Sequence, residues 1–403
     1  MAECLFPQFS LAEREQRWSR VRSLMDQWQL AVIVTPANTG HSTDFQANSR
    51  YLSHCGGGVE AGIAVVFPAD GEVTVAATEA RARWGGGVQN WVSDLREAND
   101  DYGSVIIERL KELRVGRARI GITGLGPGTR TAEGAVLFAT LHRIKREFPN
   151  ATFVDATPIL EECRLVKSAE EIEWLEQSTR LITAAYEAER AAAKVGALDY
   201  VVYAETRAAM LRGGSEAALH CNWVSGPSPA RTLTRPSFRR LERGDIIINE
   251  IESSWGGYRA QGIQPIGVET CDPVYHELLG LQGRVFDQML PMLKPGTTLG
   301  ELVVECEKIC QREQPTWGVT AGARAQLIMH GRGMGDDGPI VTNSAKEPRH
   351  LRLPLQEGMV FIFKPQIRLK TNTHPINWGD TVVVTSSGGR RLGDREQGMW
   401  IAS

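Results

Sequence analysis

RLERGDIIINEIESSWGGYRAQ, residues Arg240 to Gln261, is the stretch of this chain that decides its fold. Arg243-Gly244-Asp245 is typical of a turn, and the largely β-branched run Ile246 to Ile251 that follows it favours a strand. Trp255-Gly256-Gly257-Tyr258 then predicts a tight hairpin turn, because two successive glycines tolerate positive φ angles. The stretch is therefore predicted to form a β-hairpin.

The composition is that of a globular protein with about two domains. The chain has 403 residues, 42% hydrophobic and 23% charged, which is enough to bury a full core. A net charge of −3 gives no reason to expect nucleic acid or an anionic membrane as a partner. No apolar leader and no run of about 18 apolar residues is found, so we expect no membrane association and a cytoplasmic location. The seven cysteines lack metal-type spacing and are expected to be reduced.

Periodic patterns divide the chain into two domains. Up to residue 160, strand patterns such as Leu30 to Val34 alternate with helix patterns such as Thr131 to Phe148, which predicts a smaller α/β domain. Ser168 followed by Glu171 is a capping box that opens a long helix. We place the boundary between residues 160 and 161, and residues 161–403 then combine β-rich segments with helix pairs in an α+β domain.

Several phrases in this order resemble the creatinase/aminopeptidase P/prolidase family. They are the RxxKSxxE pattern from Arg164, the LKPG phrase from Leu293, the His330-Gly331-Arg332-Gly333 turn and Gly358-Met359 before a strand. The resemblance covers residues 160–390. It implies an α+β pita-bread catalytic domain, as in creatinase and aminopeptidase, preceded by the smaller α/β N-terminal domain. It also implies a homodimer.

The metal-binding positions of that family are where this sequence differs most from it. Metallopeptidases of the family hold two cations with two Asp, one His and two Glu, and the matching positions here are Glu250, Gln261, His330, Lys364 and Gly379. A protonated lysine has no lone pair, glycine has no side chain, and a glutamine amide is a weak ligand. The sequence therefore predicts no bound metal and no other cofactor.

The groups that replace those ligands are candidates for acid–base catalysis. Glu250 paired with Lys364 could substitute for the cations, with Lys364 stabilising an oxyanion or a leaving group. His330 or Asp336 is the candidate general base. Asp336 is included because the segment from His330 to Pro339 resembles the dimethylsulfoniopropionate lyase of this fold. A salt bridge that merely fills an inactive cavity is the alternative for Glu250 and Lys364.

A small anionic substrate is the predicted partner. Arginine binds carboxylates in a bidentate geometry that lysine cannot match. In dimeric relatives a loop of the N-terminal domain reaches the partner's active site, and the resemblance makes Arg50 a candidate contact of that kind. The candidate substrate contacts are Arg231, Arg235, Arg332, Glu252, Gln261, Trp223, Tyr258 and Arg50.

Together these features predict a metal-independent, creatinase-like hydrolase or lyase. It would cleave a C–N or similar C–X bond of a small carboxylate-bearing substrate by acid–base catalysis. In creatinase a histidine before the hairpin shuttles the proton, and that position falls here on Leu233. Two alternatives stay open: a non-catalytic pita-bread binding protein, and an Xaa-Pro metallopeptidase or dipeptidase despite the degenerate ligands.

Overall fold

The structure is a computed structural model that describes residues 6–37, 46–56, 62–85, 87–216, 220–229, 235–341 and 348–403. The chain divides into two compact units, Met1–Leu165 with Met334–Asp337, and Val166–Gly333 with Gly338–Ser403. The main division thus follows Leu165, whereas the sequence predicts it after residue 160. Among the described residues, none of the helices combines the length and the apolar character that a membrane span requires.

The first unit is an α/β domain, as the sequence predicts. Its six described strands form one sheet in the order β4-β3-β2-β1-β5-β6, in which β1, β5 and β6 are parallel and β2 is antiparallel to β1. In chain order the elements are α1 (Leu11–Gln27), β1 (Val32–Thr35), α2 (Ala47–Ser53), β2 (Ile63–Pro68), β3 (Thr74–Ala77), α3 (Ala80–Trp84), β4 (Asp94–Glu97), α4 (Tyr102–Glu112), β5 (Arg119–Ile122), α5 (Phe138–Glu147), β6 (Thr152–Asp155) and α6 (Thr157–Leu165).

Helices cover both faces of this sheet. On one face Ile106 of α4 and Ile144 of α5 pack in an apolar cluster with Val34 of β1. On the other face Trp18 of α1 packs edge to face on Phe67 of β2, with ring centroids 5.8 Å apart. Since α2 and α6 both contact α1, they belong to this second face.

The prediction of a helix from Thr131 to Phe148 is wrong over its first half, because the helix begins at Phe138. The backbone N–H groups of Ala135 and Val136 donate to the carbonyl of Gly124, at 3.0 and 3.3 Å. These bonds hold the preceding segment as a loop beside β5, so it cannot supply the first turns of the helix.

The second unit has the mixed helix and sheet content of the predicted α+β domain. One sheet has the order β16-β10-β8-β7 with β9 paired to β8, and the other has the order β12-β11-β13-β14-β15, counting described strands only. In chain order the elements are α7 (Ala169–Ala192), α8 (Asp199–Arg212), β7 (Cys221–Gly226), β8 (Ile246–Trp255), β9 (Tyr258–Gly262), β10 (Ile266–Val268), α9 (Pro273–Met289), a 3-10 turn (Leu290–Met292), α10 (Leu299–Glu313), β11 (Arg324–Gly331), β12 (Ile340–Val341), α11 (Pro348–Arg352), β13 (Val360–Arg368), β14 (Asp380–Thr385), β15 (Gly388–Arg391) and β16 (Trp400–Ala402).

The predicted hairpin is confirmed as β8 and β9, with Trp255 paired to Tyr258. The two residues between them, Gly256 and Gly257, have φ angles of +55° and +90°. A turn with positive φ at both central residues matches the right-handed twist of the strands, which explains the glycine pair. A Cβ atom at Gly256 would lie 2.0 Å from the Trp174 ring, so close packing also requires glycine at this position.

The hairpin strands separate apolar side chains from polar ones. Trp223 of β7, Ile251 of β8 and Ala260 of β9 join an apolar cluster with residues of α7 and α8. Neighbouring residues of a strand point to opposite faces, so the residues in between face away from these helices. That second face, which we call the polar face, carries Asn222, Glu250, Glu252, Arg259 and Gln261.

A carboxyl group is buried beneath the hairpin on its helix side. Glu189 of α7 has no solvent exposure, and both of its carboxylate oxygens accept from the Asn249 side-chain amide at 2.8 Å. Burial raises the pKa of Glu189 well above its usual value near 4.5. A carboxyl group that holds its proton more tightly in the folded state lowers stability as pH rises from the unfolded pKa toward the folded one.

We therefore expect Glu189→Gln to flatten the fall in unfolding free energy as pH rises above about 4.5. Urea titrations across this range measure the slope directly. Glu187→Gln is the matched control, because Glu187 is exposed on the same helix. Equal slopes for wild type and Glu189→Gln would contradict the buried, ionisable state of this carboxyl group.

Candidate functional site

Glu250 lies at the centre of the polar face. Its Oε1 accepts from Gln261 Nε2 at 2.7 Å and forms an ion pair with Lys364 Nζ, which reaches over from β13. Its Oε2 lies 3.8 Å from His220 Nε2. The Lys364 side chain is only 6% exposed and that of Glu250 is 17% exposed. The pairing of Glu250 with Lys364 that the sequence suggests is thus present.

Gly379 lies close to the side chain of Lys364. A Cβ atom at Gly379 would lie 3.0 Å from the Lys364 Cβ, so a larger residue here would crowd the lysine. The Gly379 backbone is held next to the hairpin by a bridge to Ile263. Because this contact is with Cβ, it restricts the size of residue 379 whatever side chain residue 364 carries.

His330 lies on the same face of its sheet as Lys364. It is opposite Ile362 on β13, and Lys364 is opposite Ile328 on β11; directly opposed residues point to one side. The His330 Nδ1 atom lies 3.3 Å from the Gly331 carbonyl, which can only accept, so Nδ1 carries the hydrogen. In the neutral form of this tautomer, Nε2 is the basic atom of the ring. His330 is 4% exposed and is chemically suited to act as a base.

Glu252 is held between two arginines. Arg332 Nη1 lies 2.9 Å from Glu252 Oε1, and Arg259 Nη1 lies 3.7 Å from Glu252 Oε2. All three side chains are buried, and Arg332 has no exposure. A buried charge needs a partner, and here the three groups partner one another. Glu252 and Arg332, both predicted to bind substrate, are thus parts of one buried ionic cluster.

Gln261 offers an open acceptor at the site. Its Nε2 is used by Glu250, and its backbone N–H and carbonyl bond to the Thr381 hydroxyl at 3.0 and 2.8 Å. Its Oε1 atom is buried and accepts no hydrogen bond from the described residues. A buried unsatisfied acceptor costs about 1–3 kcal/mol. A bound molecule with an N–H or O–H group would remove this cost.

The resemblance to the family raises the question of a site for two metal ions. The side chains present here do not fit such a site. Of the five corresponding residues, only Glu250 and His330 carry a strong metal-ligating atom, and the Glu250 carboxylate faces an ammonium group. Among the described residues there is no cluster of three or more His, Cys, Asp or Glu side chains that could hold a metal ion. The donor set therefore disagrees with a dinuclear centre.

Trp223 and Tyr258, both predicted substrate contacts, lie on the face of the hairpin that packs against helices. Trp223 has no solvent exposure, and its indole N–H donates to Asp199 Oδ1 at 2.7 Å. The Tyr258 hydroxyl donates to Glu171, the capping residue of α7. Strand alternation directs both side chains away from Glu250, so we assign them to the core.

The remaining predicted residues lie elsewhere. Asp336 is in the first compact unit, where its Oδ2 is 2.9 Å from Arg130 Nε. Arg50 is in α2 of that unit and is 7% exposed, so the suggested contact with a partner's substrate would need a largely buried side chain. Arg235 is exposed in the second unit, and Arg231 lies outside the described residues.

His220 is a functional candidate that the sequence prediction missed. It is 3.8 Å from Glu250 and its Nε2 is 3.1 Å from Asn222 Nδ2, so the amide donates to the imidazole. The alternation of His220, Cys221 and Asn222 could have placed it on the polar face. That inference requires the β7–β8 register, in which Asn222 is opposite Glu250, and the sequence alone does not provide it.

Comparison with known proteins supports the two-domain organisation. A family profile described as metallopeptidase family M24 matches residues 173–386. A second profile, described as the creatinase/prolidase N-terminal domain, matches residues 17–166. The two matches together cover both compact units.

The matches to individual relatives have low sequence identity but extend over most of the chain. An Xaa-Pro dipeptidase from Pyrococcus furiosus is 23% identical over 66% of this chain and 73% of its own length. A creatinase from a Bacillus species is 23% identical over 75% of this chain and 72% of its own length. The solved X-Pro aminopeptidase of Thermotoga maritima superposes with a TM-score of 0.75 at 18% identity, covering 95% of this chain and 99% of its own. The fold is thus that of prolidases and aminopeptidases P, which confirms the pita-bread prediction.

Proposed function

The chain belongs to metallopeptidase family M24, and we propose that it hydrolyses a C–N bond of a small, carboxylate-bearing substrate without a dinuclear metal centre. The observation that carries this proposal is the ion pair between Glu250 and Lys364, two residues that the sequence resemblance matches to metal ligands of the family. A site that had only lost its function would not require charged groups there, since apolar residues fill a cavity at lower cost.

His330 and Lys364 can divide the chemistry between them. His330 Nε2 takes a proton from water, and the hydroxide attacks the carbonyl or amidino carbon of the substrate. When the attacked carbon is a carbonyl, the Lys364 ammonium stabilises the negative charge that develops on its oxygen in this water-poor site, whereas a cationic amidino group becomes neutral on attack. The His330 imidazolium then returns its proton to the leaving nitrogen as the C–N bond breaks. Water is consumed, and an acid (or urea, from an amidino group) and an amine are released.

Glu250 and Gln261 position these groups. Glu250 holds the Lys364 ammonium in place, and Gln261 Nε2 in turn holds the Glu250 carboxylate at 2.7 Å. The buried Gln261 Oε1 can accept a hydrogen bond from an N–H of the substrate. An N–H of the terminal amidino nitrogens, or of the amino group of a dipeptide, is the natural donor, and this contact would orient the scissile bond toward His330.

A dipeptide ending in proline is the second candidate substrate. Two curated relatives, from Pyrococcus furiosus and Pyrococcus horikoshii, are named Xaa-Pro dipeptidase. Such a dipeptide has a C–N bond to cleave and a free carboxylate, so it falls within the substrate class proposed above. One relative is named creatinase, which supports N-amidino acids, so the comparisons favour the dipeptide more strongly.

A binding protein without catalysis is the competing proposal. The Glu250–Lys364 pair that would serve catalysis is also mutually satisfied and mostly closed to solvent. A purely structural pair would have the same geometry. Binding and turnover therefore have to be measured together.

We expect chelator-treated protein to hydrolyse at least one of creatine, N-carbamoylglycine and alanyl-proline. Products are identified by mass spectrometry, and binding of each compound is followed by the shift in thermal midpoint. Hydrolysis of alanyl-proline alone would select the dipeptidase candidate. Binding without turnover of any compound would contradict the proposed hydrolase and select the binding protein.

A further inference from the structure

The first compact unit contains a cleft that the proposed reaction does not use. The space inside it that the centre of a water molecule can reach is about 40 Å³, which is room for a few waters and hence for a molecule of a few heavy atoms. Pro36, Thr123, Gly124 and Thr157 line it. These residues follow β1, β5 and β6, the three parallel strands, so the cleft lies at their carboxyl ends.

The cleft lies where the connections that follow two neighbouring strands run to opposite faces of the sheet. β1 is followed by α2 on the sheet face covered by α1, whereas β5 is followed by α5 on the face covered by α4. Since β1 and β5 are adjacent and parallel, their carboxyl ends diverge and leave a crevice. In open α/β sheets, ligands bind at such switch points.

The lining combines hydroxyl groups with an uncompensated negative charge. Thr129 and Thr131 contribute hydroxyls and Glu161 contributes a carboxylate, whereas the Thr157 hydroxyl already donates to Asp155 and accepts from the Gly124 N–H. Glu161 Oε1 accepts from the Thr129 backbone N–H, but no cationic side chain among the described residues forms an ion pair with Glu161.

The other two charged residues that line the cleft, Asp336 and Arg164, are each paired with a residue of opposite charge. Asp336 Oδ2 lies 2.9 Å from Arg130 Nε, and Asp337 Oδ1 lies 3.1 Å from Arg164 Nε. The charge left over is therefore that of Glu161. A cationic ligand is favoured, and the threonine hydroxyls suit a ligand that also carries a hydroxyl group.

We propose that this cleft binds a small molecule that carries a primary ammonium and a hydroxyl group. The ammonium pairs with Glu161, and the ligand hydroxyl exchanges hydrogen bonds with the threonine side chains. This site shares no residue with the polar face, and its test does not depend on the proposed hydrolysis.

Isothermal titration of the full-length protein with ethanolamine and with ethylene glycol tests the proposal. The two probes differ only in that a hydroxyl replaces the ammonium, and we expect ethanolamine to bind at least about tenfold more tightly. Equal binding of both probes, or no binding of ethanolamine, would overturn the proposal. This comparison uses wild-type protein, so it stands even if a variant fails to fold.

Glu161→Gln locates the binding site. The amide keeps a carbonyl acceptor for the Thr129 N–H and removes the charge, so ethanolamine affinity should fall about tenfold or more. Glu162→Gln is the matched control, because Glu162 is the exposed next residue and does not line the cleft. Unchanged affinity in Glu161→Gln would place the ammonium elsewhere and reject the assignment.

Discussion

Replacing Lys364 by methionine should lower kcat about a hundredfold to a thousandfold while KM changes little. Methionine has a similar length but no charge, so the developing negative charge of the transition state would lose its nearest cation. Lys364 is the cation paired with Glu250. Among the described residues, no cluster of side chains there could hold a metal ion in its place. Steady-state kinetics on the substrate identified above gives both constants.

A second variant separates catalysis from stability. Lys364→Met leaves the Glu250 carboxylate without its ammonium, which destabilises the fold, whereas Lys364→Met combined with Glu250→Gln removes both charges. We expect the double variant to recover stability but not turnover. Lys370→Met, at an exposed lysine beyond the end of β13, is the control and should behave as wild type. Full activity in Lys364→Met would show that the ion pair is only structural.

His330→Asn should lower kcat about a hundredfold to ten-thousandfold. The asparagine amide can take the place of Nδ1–H beside the Gly331 carbonyl, but it offers no base at the position of Nε2. In wild type, protonation of the base at acid pH stops the reaction, so activity should fall as pH decreases. The residual activity of His330→Asn should lack this acid limb.

The pH profile of kcat/KM for wild type and variant measures this difference. His276→Asn is the matched control, since His276 is exposed on α9 and contacts Cys271. A variant that keeps the acid limb of the wild-type profile would mean that another group is the base. His220, 3.8 Å from Glu250, is the first residue to examine in that case.

Local signals in the sequence were sufficient for the elements that position the site. The Ser168–Glu171 capping box is confirmed, with both reciprocal hydrogen bonds present. The glycine pair of the hairpin is confirmed by its two positive φ angles. These features depend on neighbours in the chain, and a sequence displays such neighbours directly.

Features that depend on long-range pairing were not predictable. For strand β11, Arg324–Gly331, the sequence predicts only the glycine-containing turn at its end. The segment lacks a clear alternation of apolar and polar residues that would indicate a strand. The side of the sheet that Trp223 and Tyr258 face depends on register, and a shift of one residue reverses it. The close approach of Gly379 to the Lys364 Cβ likewise exists only once β13 and β14 are paired.

The most direct test of metal-independent hydrolysis is metal content and turnover measured on one sample. Protein purified without chelator is analysed by mass spectrometry for Mn, Co, Zn and Fe and assayed before and after chelation. We expect well under about one equivalent of metal per chain and equal turnover in both states, because only two of the five residues matched to the family's metal ligands, Glu250 and His330, are strong ligands. About two equivalents per chain, with activity lost on chelation and restored by metal, would contradict the proposal and show a functioning dinuclear centre.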